Sequence, residues 1–197
     1  MREYYDARAP EYDEWYRGTG LFADRDRPGW EQELEQLFAT IEALPPTRTL
    51  DVACGTGFLT RHLQGSVVGL DQSARMLEEA AKQAPRATFV EGDALALPFM
   101  NDSFGRLFTG HFYGHLEEDD RTQFLAEAHR VARELVVVDA SRGHVDVDEE
   151  MSQRFLNDGS RWQGYKRYFT GAKLAEELGG GEVLHEGRWF VVVRSDL

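Results

Sequence analysis

Between Leu50 and Phe58 the chain runs Leu-Asp-Val-Ala-Cys-Gly-Thr-Gly-Phe, a short apolar strand that passes through a glycine turn toward a helix. Gly55 and Gly57 let the backbone turn sharply and leave no side chain between it and a ligand. The start of a following helix adds unpaired N–H groups, so a turn of this kind binds nucleotides. The next strand ends at Asp71, 20 residues beyond Asp51. A carboxylate at that place accepts both hydroxyls of a ribose. Asp93 follows the third strand with Ala94 behind it, where a carboxylate accepts a hydrogen bond from an adenine amino group.

The details of the turn separate the adenosine-bearing cofactors. A dinucleotide turn needs a third glycine to admit the pyrophosphate, and that place holds Thr60. Asp51 is unfavourable beside a pyrophosphate but acceptable beside a cationic sulfonium or ammonium group. S-adenosylmethionine carries both cations.

Strands and helices alternate along the chain. Arg2 to Tyr16 reads as a helix, and Trp30 to Ala43 places apolar residues at 30, 34, 37, 38 and 41, a helical stripe ended by Pro45 and Pro46. Strands are expected at 49–53, 66–70, 88–90, 104–109 and 134–139, with helices at 58–63, 74–83 and 120–132. This order indicates a parallel sheet covered on both faces. Residues 141–169 are polar, charged and aromatic without clean periodicity, and are expected to form a partly helical lid. A last helix at 172–178 stops at Gly179, Gly180 and Gly181, and two antiparallel strands at 182–185 and 189–193 follow.

The chain has 197 residues, with 22 Lys and Arg against 35 Asp and Glu, a formal charge of −13. Hydrophobic residues at 42% and aromatics at 12% supply a real core, which excludes a disordered acidic tail. The net charge repels phosphate backbones and anionic membrane surfaces, so neither nucleic acid nor a membrane is expected as a partner. Cys54 is the single cysteine, so no intramolecular disulfide forms. With no signal-like N-terminus and no apolar run near the roughly 20 residues of a membrane helix, a cytoplasmic location is expected.

Three segments together carry a resemblance: Leu-Asp-Val-Ala-Cys-Gly-Thr-Gly, Val-Val-Gly-Leu-Asp-Gln-Ser-Ala-Arg-Met-Leu and Phe-Val-Glu-Gly-Asp-Ala-Leu-Ala-Leu-Pro-Phe. In this order and spacing they resemble class I S-adenosylmethionine-dependent methyltransferases, and within them the small-molecule branch of ubiquinone and menaquinone biosynthesis. The resemblance extends from Tyr-Asp-x-x-Ala-x-x-Tyr-Asp, at Tyr5 to Asp13, through the last strand pair. It implies an α/β Rossmann-like sheet of seven strands, order 3-2-1-4-5-7-6, with the seventh antiparallel and helices on both faces. A single domain is expected, with N-terminal helices at 1–45, a cofactor-binding core at 46–140, the lid or substrate insertion at 141–170, and the last helix and strand pair at 171–197.

The same resemblance assigns Asp51, Ala53, Gly55 and Gly57 to the methionine moiety and Asp71 to the ribose. Gln72 and Met76 would flank the adenosine, although Met76 suits a core position nearly as well. Asp93 and Ala94 would read the adenine edge, and Tyr5 and Tyr12 would close over the methionine end. Three departures from the family pattern stand out. Ala53 replaces the first motif glycine, Gly105 replaces a frequent Asp after Phe104, and the Pro-Gly-Gly turn before the fifth strand is missing.

Glu117 to Asp120 is better explained by helix capping and the helix dipole than by a metal, and no metal is assigned. His111 and His115 lie just after the fourth strand, at the edge where ligands of open α/β sheets bind. Each is a candidate general base for an acceptor hydroxyl or amine, with His144 a third. The insertion interleaves aromatics with cations, from Arg154 and Phe155 to Tyr168 and Phe169, and such a set stacks on a planar substrate, pairs with its carboxylate, or simply packs as a lid.

The expected activity is in-line transfer of the S-adenosylmethionine methyl group to a small-molecule acceptor, leaving S-adenosylhomocysteine, by a monomer or homodimer. Two alternatives stay open. One is a protein of this fold that binds the cofactor without transferring the methyl group, as a cyclase or regulatory module; the other is a nicotinamide-dependent oxidoreductase.

Overall fold

The run Leu135 to Val138 has no exposed residue, as a strand at the centre of a two-faced sheet requires. It lies in β5 (Glu134–Ala140), which the computed structural model, describing residues 1–197, places between β4 (Arg106–Gly110) and the C-terminal strand β9 (Phe190–Asp196). Beyond β4 lie β1 (Thr47–Val52), β2 (Gly65–Asp71) and β3 (Thr88–Glu91), and β8 (Glu182–Glu186) closes the far edge. The order is β3-β2-β1-β4-β5-β9-β8. β1 to β5 are mutually parallel, while β9 runs antiparallel to β5 and to β8. This is the seven-stranded arrangement expected from the sequence, its seventh strand reversed.

Alternation along β5 splits the core into two layers. Val136 and Val138 join Leu37 and Ile41 of α3 (Trp30–Glu42), Phe108, Phe190 and Val192 on one face. Leu135 and Val137 join Phe124, Ala128 and Val131 of α5 (Glu118–Val131) and Leu174 of α6 (Gly171–Glu177) on the other. The helix α4 (Ala74–Gln83) packs against β2 and β3. No helix is long and apolar enough to cross a membrane.

Three local expectations are corrected. Residues 58–63 form only a single 3-10 turn, Thr60–His62, because about a dozen residues must carry the chain from β1 back to the start of β2. The N-terminal helix is broken at Pro10, which lacks an N–H, into α1 (Arg2–Arg8), a 3-10 turn at Ala9–Glu11 and α2 (Glu14–Arg17).

The largest correction concerns the insertion. It is a two-stranded antiparallel hairpin, β6 (Glu149–Phe155) and β7 (Arg161–Arg167), in register from Glu149 opposite Arg167 to Phe155 opposite Arg161. Both of its faces carry charged residues, so the two-residue period that marks a half-buried strand is absent from its sequence.

At one departure from the family pattern the space is tight, and at another the replacement carries a backbone cost. A Cβ at Gly105 would lie 2.1 Å from Thr47 Oγ1, so a side chain there needs Thr47 to turn aside. Ala53 sits at φ +56°, the left-handed region that glycine adopts without cost.

Candidate functional site

The carboxyl ends of β1, β2 and β4 converge on the glycine turn. Asp51 is buried near the end of β1, and its carboxylate accepts the Thr60 hydroxyl at 2.6 Å. Burial pushes Asp51 up to about 7, against the pull of that hydrogen bond, and nearby Asp71 adds to the rise. Thr60, which replaces the third dinucleotide glycine, therefore holds the acid at the base of the turn.

Gly57 is required twice over. Its φ is +75°, and a Cβ there would lie 3.1 Å from the Ala80 Cα of α4. Gly55, at φ +55°, donates its N–H to Asp71 Oδ2 at 2.9 Å, and Ser73 donates its N–H to Asp71 Oδ1 at 2.9 Å. Asp71 thus fixes the turn against β2 and caps the approach to α4. Each carboxylate oxygen keeps a second lone pair for a ligand hydroxyl.

Gln72 is exposed beside Asp71. Met76 is wholly buried, which is the packing role weighed for it above. Asp93 is exposed at the end of the neighbouring strand, where its carboxylate accepts the Leu95 N–H at 2.8 Å; Ala94 packs on the core.

The N-terminal segment closes over this turn through residues that the sequence reading did not single out. Asp6 accepts the Ser73 hydroxyl at 2.5 Å. Asp13 accepts the Thr56 hydroxyl at 2.5 Å and the Gln83 amide at 2.6 Å. The repeated Tyr-Asp pairs, Tyr5-Asp6 and Tyr12-Asp13, carry the signal: the acids latch the segment down and the tyrosines face the ligand space. The Tyr12 ring lies 3.6 Å from the place of a Gly55 Cβ.

Tyr12 is the wall between two spaces. On one side is a narrow crevice of about 10 Å³, bounded by Asp51, Ala53, Thr56 and Phe58. On the other is a cavity of about 830 Å³ roofed by the N-terminal segment and the β6–β7 hairpin. Tyr5, His111, His115 and His144 all line this larger cavity.

His111 follows β4 in a left-handed conformation, φ +56°, strained for a residue with a side chain. Its ring meets Trp15 edge-on at 4.9 Å and Phe190 at 5.6 Å, and its Nε2 has no hydrogen-bond partner. Burial, reinforced by the charge of Lys166, lowers its pKa to about 3 despite Asp139. His115 donates Nδ1–H to the Tyr165 carbonyl of β7 at 2.6 Å, and burial with Lys166 and Arg154 nearby holds it well below the usual histidine range. Both rings are therefore neutral at physiological pH. His144 packs on Trp189. His62 stacks on Phe38 and pairs with Glu42, and His185 faces Glu33, both away from the cavity.

Beneath the histidines lies a buried ion pair, also unforeseen. Asp139, at the end of β5, accepts Lys166 Nζ of β7 at 2.5 Å and the Gly114 N–H at 2.7 Å. Burial raises the Asp139 pKa, but Lys166 outweighs that and holds it below the usual carboxylate range. This pair ties the hairpin to the sheet.

The turn fits an adenosyl cofactor with a cationic end. Asp51 offers a buried carboxylate beneath the crevice, Asp71 offers free lone pairs at the end of β2, and the glycine cradle would be filled by a Cβ at position 57.

Comparisons with known proteins agree with this geometry. Residues 49–135 match the family described as a methyltransferase domain. A demethylmenaquinone methyltransferase of Thermotoga maritima is 33% identical over 109 residues, covering 53% of this chain and 45% of that protein. The chain spans about half the length of the curated relatives it matches. Over nearly its whole length it superposes on DhpI. The DhpI–SAH complex gives a TM-score of 0.69 at 27% identity, covering 98% of this chain and 92% of that one. The DhpI–SAM–HEP complex gives 0.71 at 26%, covering 98% and 94%.

Proposed function

We propose that this chain, which has the fold and the methyltransferase domain of the class I S-adenosylmethionine-dependent methyltransferases and resembles their quinone-pathway branch, transfers a methyl group to a small molecule bound in the cavity beyond Tyr12. The observation that carries this reading is the shared wall. The crevice over Asp51 and the large cavity meet at Tyr12, so a methyl donor held by the glycine turn has its reactive end directed toward the cavity.

S-adenosylmethionine supplies a methyl carbon already activated by its sulfonium neighbour. Asp51 is placed to face the cationic end, Asp71 to accept the ribose hydroxyls, and Asp93 with Ala94 to meet the adenine edge. Gln72 flanks the adenosine, and Tyr5 and Tyr12 cover the methionine end. Because the crevice is small, the N-terminal cover opens when the cofactor binds, releasing the Asp6 and Asp13 latches. Displacement at an activated methyl demands little acid–base chemistry, and holding the nucleophile in line supplies most of the acceleration.

His111 and His115 face the acceptor as neutral imidazoles. A group whose pKa lies near 3 is a weak base, so we assign His111 to hydrogen bonding and alignment of the acceptor through its unpartnered Nε2. The relatives, a demethylmenaquinone methyltransferase among them, support an acceptor of the small-molecule class.

The test is incubation with trideuteromethyl S-adenosylmethionine and a panel of small metabolites, read by mass spectrometry. A product carrying the labelled methyl group is expected. Cofactor binding with no labelled product from any acceptor would instead favour a cofactor-binding protein without transfer. Replacing His111 with Gln is expected to lower turnover without shifting its pH profile.

A further inference from the structure

In a chain of charge −13, four arginines without a carboxylate partner lie around one cavity. Arg8, Arg25, Arg27 and Arg154 all line the space beyond Tyr12, and none has a carboxylate within ion-pair distance. Several arginines elsewhere are paired, Arg106 with Glu134, Arg130 with Glu127, Arg142 with Asp148 and Arg167 with Glu177, while others such as Arg48, Arg61 and Arg188 stand singly outside this cavity. The fifth cation of the cavity, Lys166, is already matched by Asp139. The lining holds two carboxylates, Asp26 and Glu150, and Glu150 accepts the Tyr168 hydroxyl.

The four guanidinium groups are held by aromatic faces. Arg8 lies 5.1 Å over Tyr12, Arg25 4.6 Å over Phe22, Arg27 4.1 Å over Trp30 and Arg154 5.5 Å over Tyr4. Stacking orients a guanidinium while leaving its N–H edge free for the planar, two-point contact that carboxylate and phosphoryl groups offer. Arg8 uses one N–H on the Tyr4 hydroxyl, Arg27 one on the Trp15 carbonyl and Arg154 one on the Tyr165 carbonyl, its Nη2 also lying 3.0 Å from His115 Nδ1. Arg8 Nε is buried with no partner at all, as is His111 Nε2 across the same cavity. Buried polar atoms are nearly always paired, so two orphans on one cavity wall mark groups reserved for a ligand.

We infer that the acceptor is an aromatic acid, its flat body lying among the rings of the wall and its carboxylate or phosphoryl anion against the arginine collar. The inference rests on the methyltransferase reading and adds the acceptor's chemical class to it. A neutral acceptor would leave the half-buried guanidinium groups of Arg8, Arg27 and Arg154 without a counter-charge. An acid offsets them, and the collar also attracts it across the field of an otherwise anionic protein.

The test uses the full chain loaded with S-adenosylhomocysteine and titrated calorimetrically with benzoate, phenyl phosphate and benzamide. At least one acid is expected to bind ten-fold or more tightly than benzamide, and the two acids compared show which anion the collar prefers. Arg154→Gln is expected to weaken acid binding at least ten-fold while benzamide and S-adenosylhomocysteine bind as before. Arg25→Gln, at the exposed rim, is expected to weaken it about three-fold and serves if the Arg154 variant does not fold. Equal binding of benzamide and both acids, or acid binding untouched by either substitution, would overturn the inference, as would no acid binding by the loaded protein. A wild-type chain that fails to bind S-adenosylhomocysteine would overturn the methyltransferase reading itself, and this inference with it.

Discussion

The two halves of the site are held together in different ways. The cofactor half, from β1 to β4, rests on short connections: Gly55 bonded to Asp71, Thr60 to Asp51, and Gly57 packed on Ala80. The acceptor half is assembled from segments far apart in sequence. Asn157 in the hairpin turn binds Glu11 and Glu14, Trp162 meets Tyr4 at 5.6 Å, and Lys166 reaches Asp139. The first half is thus a rigid platform built from local motifs, and the second a polar cover whose fixing points are few. In a methyltransferase this division lets one cofactor platform serve different acceptors through changes in the cover.

The comparison breaks most sharply at the buried ion pair. Lys166→Met leaves the wholly buried Asp139 carboxylate unmatched, and removal of one partner of such a pair costs about 3–5 kcal/mol. Chemical denaturation is expected to show that loss, with much of it recovered in the Lys166→Met, Asp139→Asn double variant. A single variant as stable as wild type would show that the hairpin is not anchored through this pair.

The cofactor half has its own titration. With Asp51 raised to about 7, a cationic ligand beside it favours the carboxylate, so binding releases a proton. The sign follows: S-adenosylmethionine affinity rises with pH below about 7, by at most ten-fold per unit, and levels off above it. Calorimetry from pH 6 to 8 checks this, and Asp51→Asn is expected to flatten the dependence. The same raised pKa makes the protein without cofactor lose stability as pH climbs from the ordinary aspartate value toward 7.

A smaller effect sharpens the picture of the turn. Ala53→Gly relieves a left-handed alanine and is expected to stabilise the fold by about 1 kcal/mol, read as a higher unfolding midpoint. Destabilisation would mean that the Ala53 methyl group contributes packing outweighing the backbone strain.

The positions of Asp51, Gly55, Gly57 and Asp71 were legible because a strand, a glycine turn and an acid at fixed spacing are local patterns, and the sheet order came from the family resemblance that these patterns carry. Helix α4 was legible to the residue, 74–83, and in the structure Ser73 caps it by accepting the Met76 N–H. The hairpin was not, since charged residues on both faces hide the strand period. Asp139 and Lys166 were hidden for another reason: their pairing joins residues 27 positions apart and leaves no trace in either neighbourhood. The Asp6 and Asp13 latches lay within the Tyr-Asp repeat, but their partners Ser73 and Thr56 appear only once the chain is folded. Beside its proposed ribose contact, Asp71 anchors the Gly55 and Ser73 N–H groups. Truncation to alanine would therefore disturb the turn as well as the contact, and asparagine is the better probe.

The most direct measurement is S-adenosylhomocysteine binding to Asp71→Asn beside the wild-type chain, with unfolding followed on both. Two hydrogen bonds to a charged acceptor are at stake, each worth about 1.5–3 kcal/mol, so affinity is expected to fall at least roughly 100-fold in a protein that still unfolds cooperatively. Wild-type affinity in the variant would contradict the placement of the cofactor on this turn.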